Sequence, residues 1–174
     1  MVPKNVLCDA RRLLGGRTRF RDKLHIVIAH RGFTATCLFR LAAAMENADI
    51  PLLPALVSSI SVTITGADIA PNASIGEGLI LHHPVGIVIG SGVTIGRNCT
   101  ILQNVTLGEK YGPDGGHLYP QIGDGVTICC GAVIVGGVTV GDGATIGANA
   151  VVLSDVAAGS TMVGVPARPL HPSR

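Results

Sequence analysis

From Ala73 to Asp155 the aliphatic residues return at every sixth position. The blocks ASIGEG, IVIGSG, VTIGRN, CTILQN and VTLGEK are followed, after a break, by PQIGDG, VTICCG, AVIVGG, VTVGDG, ATIGAN and AVVLSD. The third position of each block is aliphatic, as in Ile75, Leu81, Ile89, Ile95, Ile101, Leu107, Ile122, Ile128, Ile134, Val140, Ile146 and Val152. The first position is small or β-branched, and Gly, Asn, Asp or Ser crowds the block ends. A repeat this short and this long sustained predicts a solenoid in which each block is a short strand and a bend, a parallel β-helix. The third-position aliphatics then stack coil upon coil into a narrow core. Aromatics make up only 3% of the chain, which suits a core too thin for large rings. A sandwich of ordinary strands would instead show strict alternation and irregular turn spacing. Such a rod has flat faces, so a site must come from breaks in the period or from a neighbouring subunit.

The rest of the chain divides around this repeat. Residues 1 to about 24 read as a mobile arm, with Gly15-Gly16 as a break. From about Leu24 to Glu46 the apolar residues recur at helical spacing, and Pro51 and Pro54 open a further helix through Ile60. Residues 1–62 are therefore expected as a short α-helical N-terminal part, 63–156 as the β-helix, and 157–174 as a closing turn (Gly164 to Arg168) and tail. Two departures break the period. The block Leu79 to Gly86 has eight residues and carries His82 and His83. Residues 109–119, EKYGPDGGHLY, are too polar and glycine-rich for a rung and predict one protruding loop, where binding residues concentrate.

Composition narrows the picture further. A formal net charge of +2 says little about partners, but Arg11, Arg12, Arg17, Arg19, Arg21 and Lys23 crowd the N-terminal segment against Asp9 and Asp22. This reads first as a solvated helix face or arm; a patch for phosphorylated ligands is the sharper reading, and without interleaved aromatics nucleic acid is not expected. No run of eighteen apolar residues and no secretion signal is visible. The five cysteines, Cys8, Cys37, Cys99, Cys129 and Cys130, lack metal-type spacing and predict reduced thiols in a cytoplasmic protein.

Few ionisable groups lie near the breaks. Asp68 enters the β-helix and His83 follows fifteen residues later, close to one coil on. Stacked coils bring both to one corner, where a carboxylate-held histidine would serve as a general base toward a hydroxyl attacking an acyl carbonyl. Spacing alone fits equally well Asp68 as a turn cap and His83 as a surface residue. No metal is expected: His82 and His83 are neighbours whose side chains point to opposite faces, and His117 stands alone in the loop. No G-x-S-x-G elbow appears, and packing is the expected role of Cys129 and Cys130.

Several runs resemble the serine O-acetyltransferases: Arg31-Gly32-Phe33, Phe39-Arg40-Leu41, Ile60-Ser61-Val62 and Asp68-Ile69-Ala70-Pro71, then LILHHPVGIVIG, CTILQNVTLGE, GVTICCGAVIVGG, ATIGANAVVL and GVPAR. The likeness spans Arg31 to Arg168. It implies a mainly β, left-handed parallel β-helix, a homotrimer or dimer of trimers, and acetyl-CoA as co-substrate bound between subunits. It implies catalytic roles for His83 and Asp68, and cofactor contacts at Gly108, Cys130, Gly131, Thr145, Ala148 and Arg168. On the acceptor side the chain departs from the family. His82 stands where an acidic residue precedes the catalytic histidine, and Leu118-Tyr119 replaces an Arg-His pair. A zwitterion buried without those charges would be penalised by several kcal/mol. The expectation is thus an acetyl-CoA-dependent O-acetyltransferase acting on a hydroxyl other than that of free serine, a sugar, polysaccharide precursor or specialised metabolite. His82, His117 and Tyr119 would shape its pocket, and the His-His pair resembles exopolysaccharide-pathway members. A true serine O-acetyltransferase and a non-catalytic scaffold are the alternatives.

Overall fold

The computed structural model describes residues 4–15 and 30–170. What was expected of residues 16–29 and of the tail at Ser173-Arg174 lies outside the described residues. Three helices, α1 (Lys4–Leu14), α2 (Arg31–Glu46) and α3 (Leu53–Thr65), precede a column of strands two or three residues long. The strands form three parallel sheets, the faces of a prism. The first face holds Asp68–Ile69, Val88–Ile89, Thr106–Gly108, Val133–Val135 and Val151–Val152. The second holds Ser74–Ile75, Thr94–Ile95, Gln121–Ile122 and Thr139–Val140. The third holds Ile80–Leu81, Thr100–Ile101, Thr127–Ile128, Thr145–Ile146 and Thr161–Val163.

In-register pairing of like positions explains the stack. Ile89 pairs with Leu107, Leu107 with Ile134, and Ile134 with Val152, all essentially buried. Their neighbours Val88, Thr106, Val133 and Val151 face outward, since successive side chains of a strand alternate. The small first-position residues Val93, Cys99, Ala132, Ala144 and Ala150 are completely buried at the corners. The corner from third to first face is tied once per coil: the N–H of Gly86 donates to Gly66, Asn104 to Val85, Gly131 to Gln103, and Asn149 to Cys130. At this corner Gly86 and Gly131 take a left-handed backbone, φ +74° and +71°. A Cβ on Gly86 would sit 2.2 Å from Asn104 Oδ1, so the coil below an asparagine must be glycine there.

The N-terminal segment differs from the expected arm. Within it Lys4–Leu14 is a helix packed on α2 and on the first coil. Asp9 is completely buried; its carboxylate accepts from the N–H groups of Gly78 (2.7 Å) and Leu79 (2.9 Å) and pairs with Arg40 at 3.2 Å. Arg40 donates onward to the carbonyls of Ile75 and Gly76. Arg12, expected on a solvated face, donates to the carbonyls of Gly78 and Cys99 and to Thr100 Oγ1. These are the bonds that seat α1 and α2 on the end of the rod. Helix α3 runs past the expected boundary at 62 to Thr65 and stops at Gly66, φ +79°, so that the first strand begins at Asp68.

Residues 109–119 leave the rod as a hairpin, Lys110–Tyr111 pairing antiparallel with His117–Leu118. After a cis Val165–Pro166 bond, Arg168–Pro169 folds back antiparallel on Thr161–Val163 and covers the end of the third face. No helix among the described residues is long and apolar enough to cross a membrane.

Candidate active site

The eight-residue block builds the site. Val88 pairs with Thr106 and Val133 with Val151, eighteen positions apart, whereas Asp68 pairs with Val88, twenty apart. The two extra residues widen the corner His82–Gly86 and push His83 outward. His83 has φ +51° and is exposed, in front of buried Pro84. A histidine held in the left-handed region costs on the order of 1 kcal/mol, and such strain concentrates at functional positions.

Helix α2 closes the other side. A Cβ on Gly32 would lie 1.8 Å from the carbonyl oxygen of Leu81, so only glycine lets the helix start press onto the end of that strand. His30 caps the helix, its Nδ1 accepting from the Phe33 N–H at 3.1 Å. Its ring meets that of His82 edge-on, with centroids 6.2 Å apart. Between them lies a cleft of about 270 Å³ lined by His30, Arg31, Gly32, His82, His83, Pro84 and Val85.

Asp68 stands one coil away on the first face. Backbone bonds tie its segment to the widened corner, the Gly86 N–H donating to Gly66 and the Asp68 N–H to Ile87. Its carboxylate is exposed and makes no hydrogen bond to His83 in the isolated chain. Cys130, Gly131 and Ala148 lie on the same corner as His83 in later coils, with Thr145 on the adjoining third face and Arg168 on the strand that folds over that face. Gly108, His117 and Tyr119 lie elsewhere. Gly108 ends its first-face strand at the opposite edge, where the hairpin departs. One chain therefore does not gather the expected acceptor residues: His82 is at one edge of the first face and His117 and Tyr119 at the other.

Sequence reading missed three residues. His30 and Arg31 line the cleft, and Glu109 organises the hairpin base. Glu109 Oε2 accepts from the Tyr119 hydroxyl at 2.8 Å and lies 2.7 Å from His117 Nδ1. Those two bonds, Tyr119 first, hold its carboxyl below the ordinary range. Tyr119 lies flat on the Ser91-Gly92 turn, where a Cβ on Gly92 would be 2.2 Å from the ring. The loop's run of polar residues hinted at a site, but nothing local marked Glu109 as a partner for residues eight and ten positions on. Burial pushes the Cys129 thiol up, which disfavours it as a nucleophile. Among the described residues no group of three metal-ligating side chains assembles.

Residues 119–154 match the bacterial transferase hexapeptide family model of six repeats. The chain is 34% identical to a serine acetyltransferase of Synechococcus elongatus over 98% of its own length and 69% of that protein. Among solved structures it is similar to soybean serine acetyltransferase complexed with serine, with 36% identity, TM-score 0.87, and coverage of 95% of this chain and 68% of that one. A serine acetyltransferase complex with CoA gives 33% identity and TM-score 0.84, covering 95% and 68%. These relatives overturn the expectation of an acceptor other than free serine, and with it the tilt toward specialised-pathway enzymes. The error was to equate loss of charge at His82 and Leu118-Tyr119 with loss of the pocket, although charged groups on other elements, such as Arg31, line the same cleft. Similarity of this extent settles the family: the chain belongs to the serine acetyltransferases, acyltransferase enzymes built on hexapeptide repeats.

Proposed function

We propose that this protein is a serine O-acetyltransferase using acetyl-CoA, with His83 as general base and Asp68 as its positioning carboxylate. In this reading an imidazole nitrogen of His83 takes the proton of the serine hydroxyl as that oxygen attacks the thioester carbonyl carbon. The tetrahedral intermediate collapses with cleavage of the C–S bond, and the CoA thiolate recovers the proton from the imidazolium. Asp68 would hold the imidazole and stabilise its cationic form once the substrates close the site, since apo hydrogen bonds at catalytic pairs are often unformed. A backbone N–H near the hairpin would bind the oxyanion.

The observation that carries the reading is whole-chain similarity to serine acetyltransferases joined to one exposed, strained histidine at the widened corner. Acetyl-CoA would run along the corner that carries Cys130, Gly131 and Ala148, with Thr145 and Arg168 beside it and Gly108 contributed from the other edge of a first face. A left-handed coil and a trimer, or a pair of trimers, belong to the same proposal. Such an assembly would bring the hairpin edge of one protomer, with His117 and Tyr119, to the His83 corner of the next. The exposed apolar side chains Val85, Val88, Leu56, Ile60 and Ile64 offer surface for that contact. The five free cysteines favour a cytoplasmic location.

The test is acetyl-CoA-dependent formation of O-acetylserine, read as thiol release and by mass, against a panel of sugars and amino alcohols. Serine should be the preferred acceptor. A sugar turned over far faster than serine would overturn the reading.

A further inference from the structure

The cleft beside His83 is lined by cationic and hydrogen-bond-donating groups, with no carboxylate among its lining residues. Three rings or guanidinium groups, His30, Arg31 and His82, converge on a space of about 270 Å³, large enough for a small amino acid's head group. Helix α2 begins at its wall. The N–H groups of Arg31 and Gly32, in the first turn of a sixteen-residue helix, have no intrahelical acceptor. Because Nδ1 of His30 accepts from the Phe33 N–H, the neutral ring carries its proton on Nε2 and is a donor there. Gly32 has no side chain to fill the cleft, and the close approach of α2 to Leu81 fixes where Arg31 stands. Each of these features favours an anion. None would accept an ammonium.

We propose that this wall is the carboxylate subsite for the acceptor amino acid, with Arg31 as its principal specificity-determining residue and His30 and His82 beside it. This rests on the reading of the chain as a serine O-acetyltransferase. Serine's carboxylate lies against Arg31 and the start of α2, and its hydroxyl, two bonds from the α-carbon, reaches the imidazole of His83 on the same wall. The arrangement supplies from helix α2 the cationic partner that Leu118 does not offer. It also explains a histidine rather than an acid at position 82, since a carboxylate there would repel the ligand.

The experiment compares KM and kcat for serine, for ethanolamine (which lacks the carboxylate) and for acetyl-CoA in wild type, Arg31→Gln, Arg31→Lys and His30→Asp. Arg31→Gln should raise KM for serine roughly tenfold to a hundredfold, the worth of a charge-assisted hydrogen bond, with a much smaller change in kcat. Arg31→Lys should recover part of that loss. His30→Asp keeps a good helix cap while placing negative charge on the wall, so the fold should hold and KM for serine should rise. Discrimination of serine over ethanolamine should fall in both charge-changing variants. An unchanged KM for serine in Arg31→Gln and His30→Asp, with melting temperatures preserved, overturns the subsite. So does a rise confined to KM for acetyl-CoA, which would mean that the wall serves CoA phosphates. Failure of the wild type to acetylate serine is a different result and removes the underlying reading instead.

Discussion

Removing the Asp9 carboxylate should be among the most damaging single changes outside the repeat. Asp9→Ala strands the N–H groups of Gly78 and Leu79 and deprives Arg40, whose side chain is 6% exposed, of its counter-charge. Breaking a buried ion pair from one side costs about 3–5 kcal/mol. The two orphaned amides belong to the same network, so their penalty of about 1–3 kcal/mol each overlaps with that figure rather than adding to it. Arg40 keeps the carbonyls of Ile75 and Gly76, which limits the loss. For a chain of this size, about 2–4 °C per kcal/mol translates the change into a drop in Tm of roughly 6–20 °C. Asp9→Asn retains an oxygen for the two amides and loses only the charge, so its drop should be clearly smaller. Thermal unfolding followed by circular dichroism measures both, and hydrogen exchange at Gly78 and Leu79 reports the local opening. A fall of less than about 2 °C for Asp9→Ala would refute the claim that this network seats α1 and α2 on the rod.

Two other predictions concern the elements that flank the site. Alanine normally stabilises a helix over glycine by about 1 kcal/mol, but Gly32→Ala should reverse that sign and cost about 1–3 kcal/mol as α2 lifts from Leu81; calorimetry and the KM for serine should both register it. The Glu109 carboxyl is lowered by Tyr119 and His117, so the hairpin clasp is intact above the ordinary carboxylate value of 4.5 and is lost as pH falls through the lower folded value. Backbone exchange at residues 110–118, corrected for intrinsic rates, should therefore accelerate on acidification, and Glu109→Gln should give faster exchange already at neutral pH. A pH-independent hairpin identical in both proteins would contradict the clasp.

The column of strands was legible because its physics is local. Each rung repeats the same demands, an aliphatic inward, a small residue at the corner, and Gly or Asn at the bend, so Ile89, Leu107, Ile134 and Val152 announce one another along the chain. The site was half legible for the same reason: a two-residue excess in a regular count points at His82 and His83 without any knowledge of coordinates. Helix α1 was not legible, because the Asp9 carboxylate is matched by amides 69 and 70 positions away and by a guanidinium 31 away, and no periodicity encodes such partners. Its arginines looked solvated for want of a visible acceptor, yet Arg12 spends its donors on carbonyls of the first two coils. The acceptor was misread for a related reason. Leu118-Tyr119 and His82 show where two charges are missing, but the groups able to replace them sit on α2, before the repeat begins.

The account stands most directly on His83. Acetyl transfer from acetyl-CoA to serine should be fast in the wild type and fall by roughly a hundredfold or more in His83→Ala, a loss typical of removing a general base, while thermal stability and assembly are unchanged. Turnover of serine by His83→Ala at the wild-type rate would contradict it.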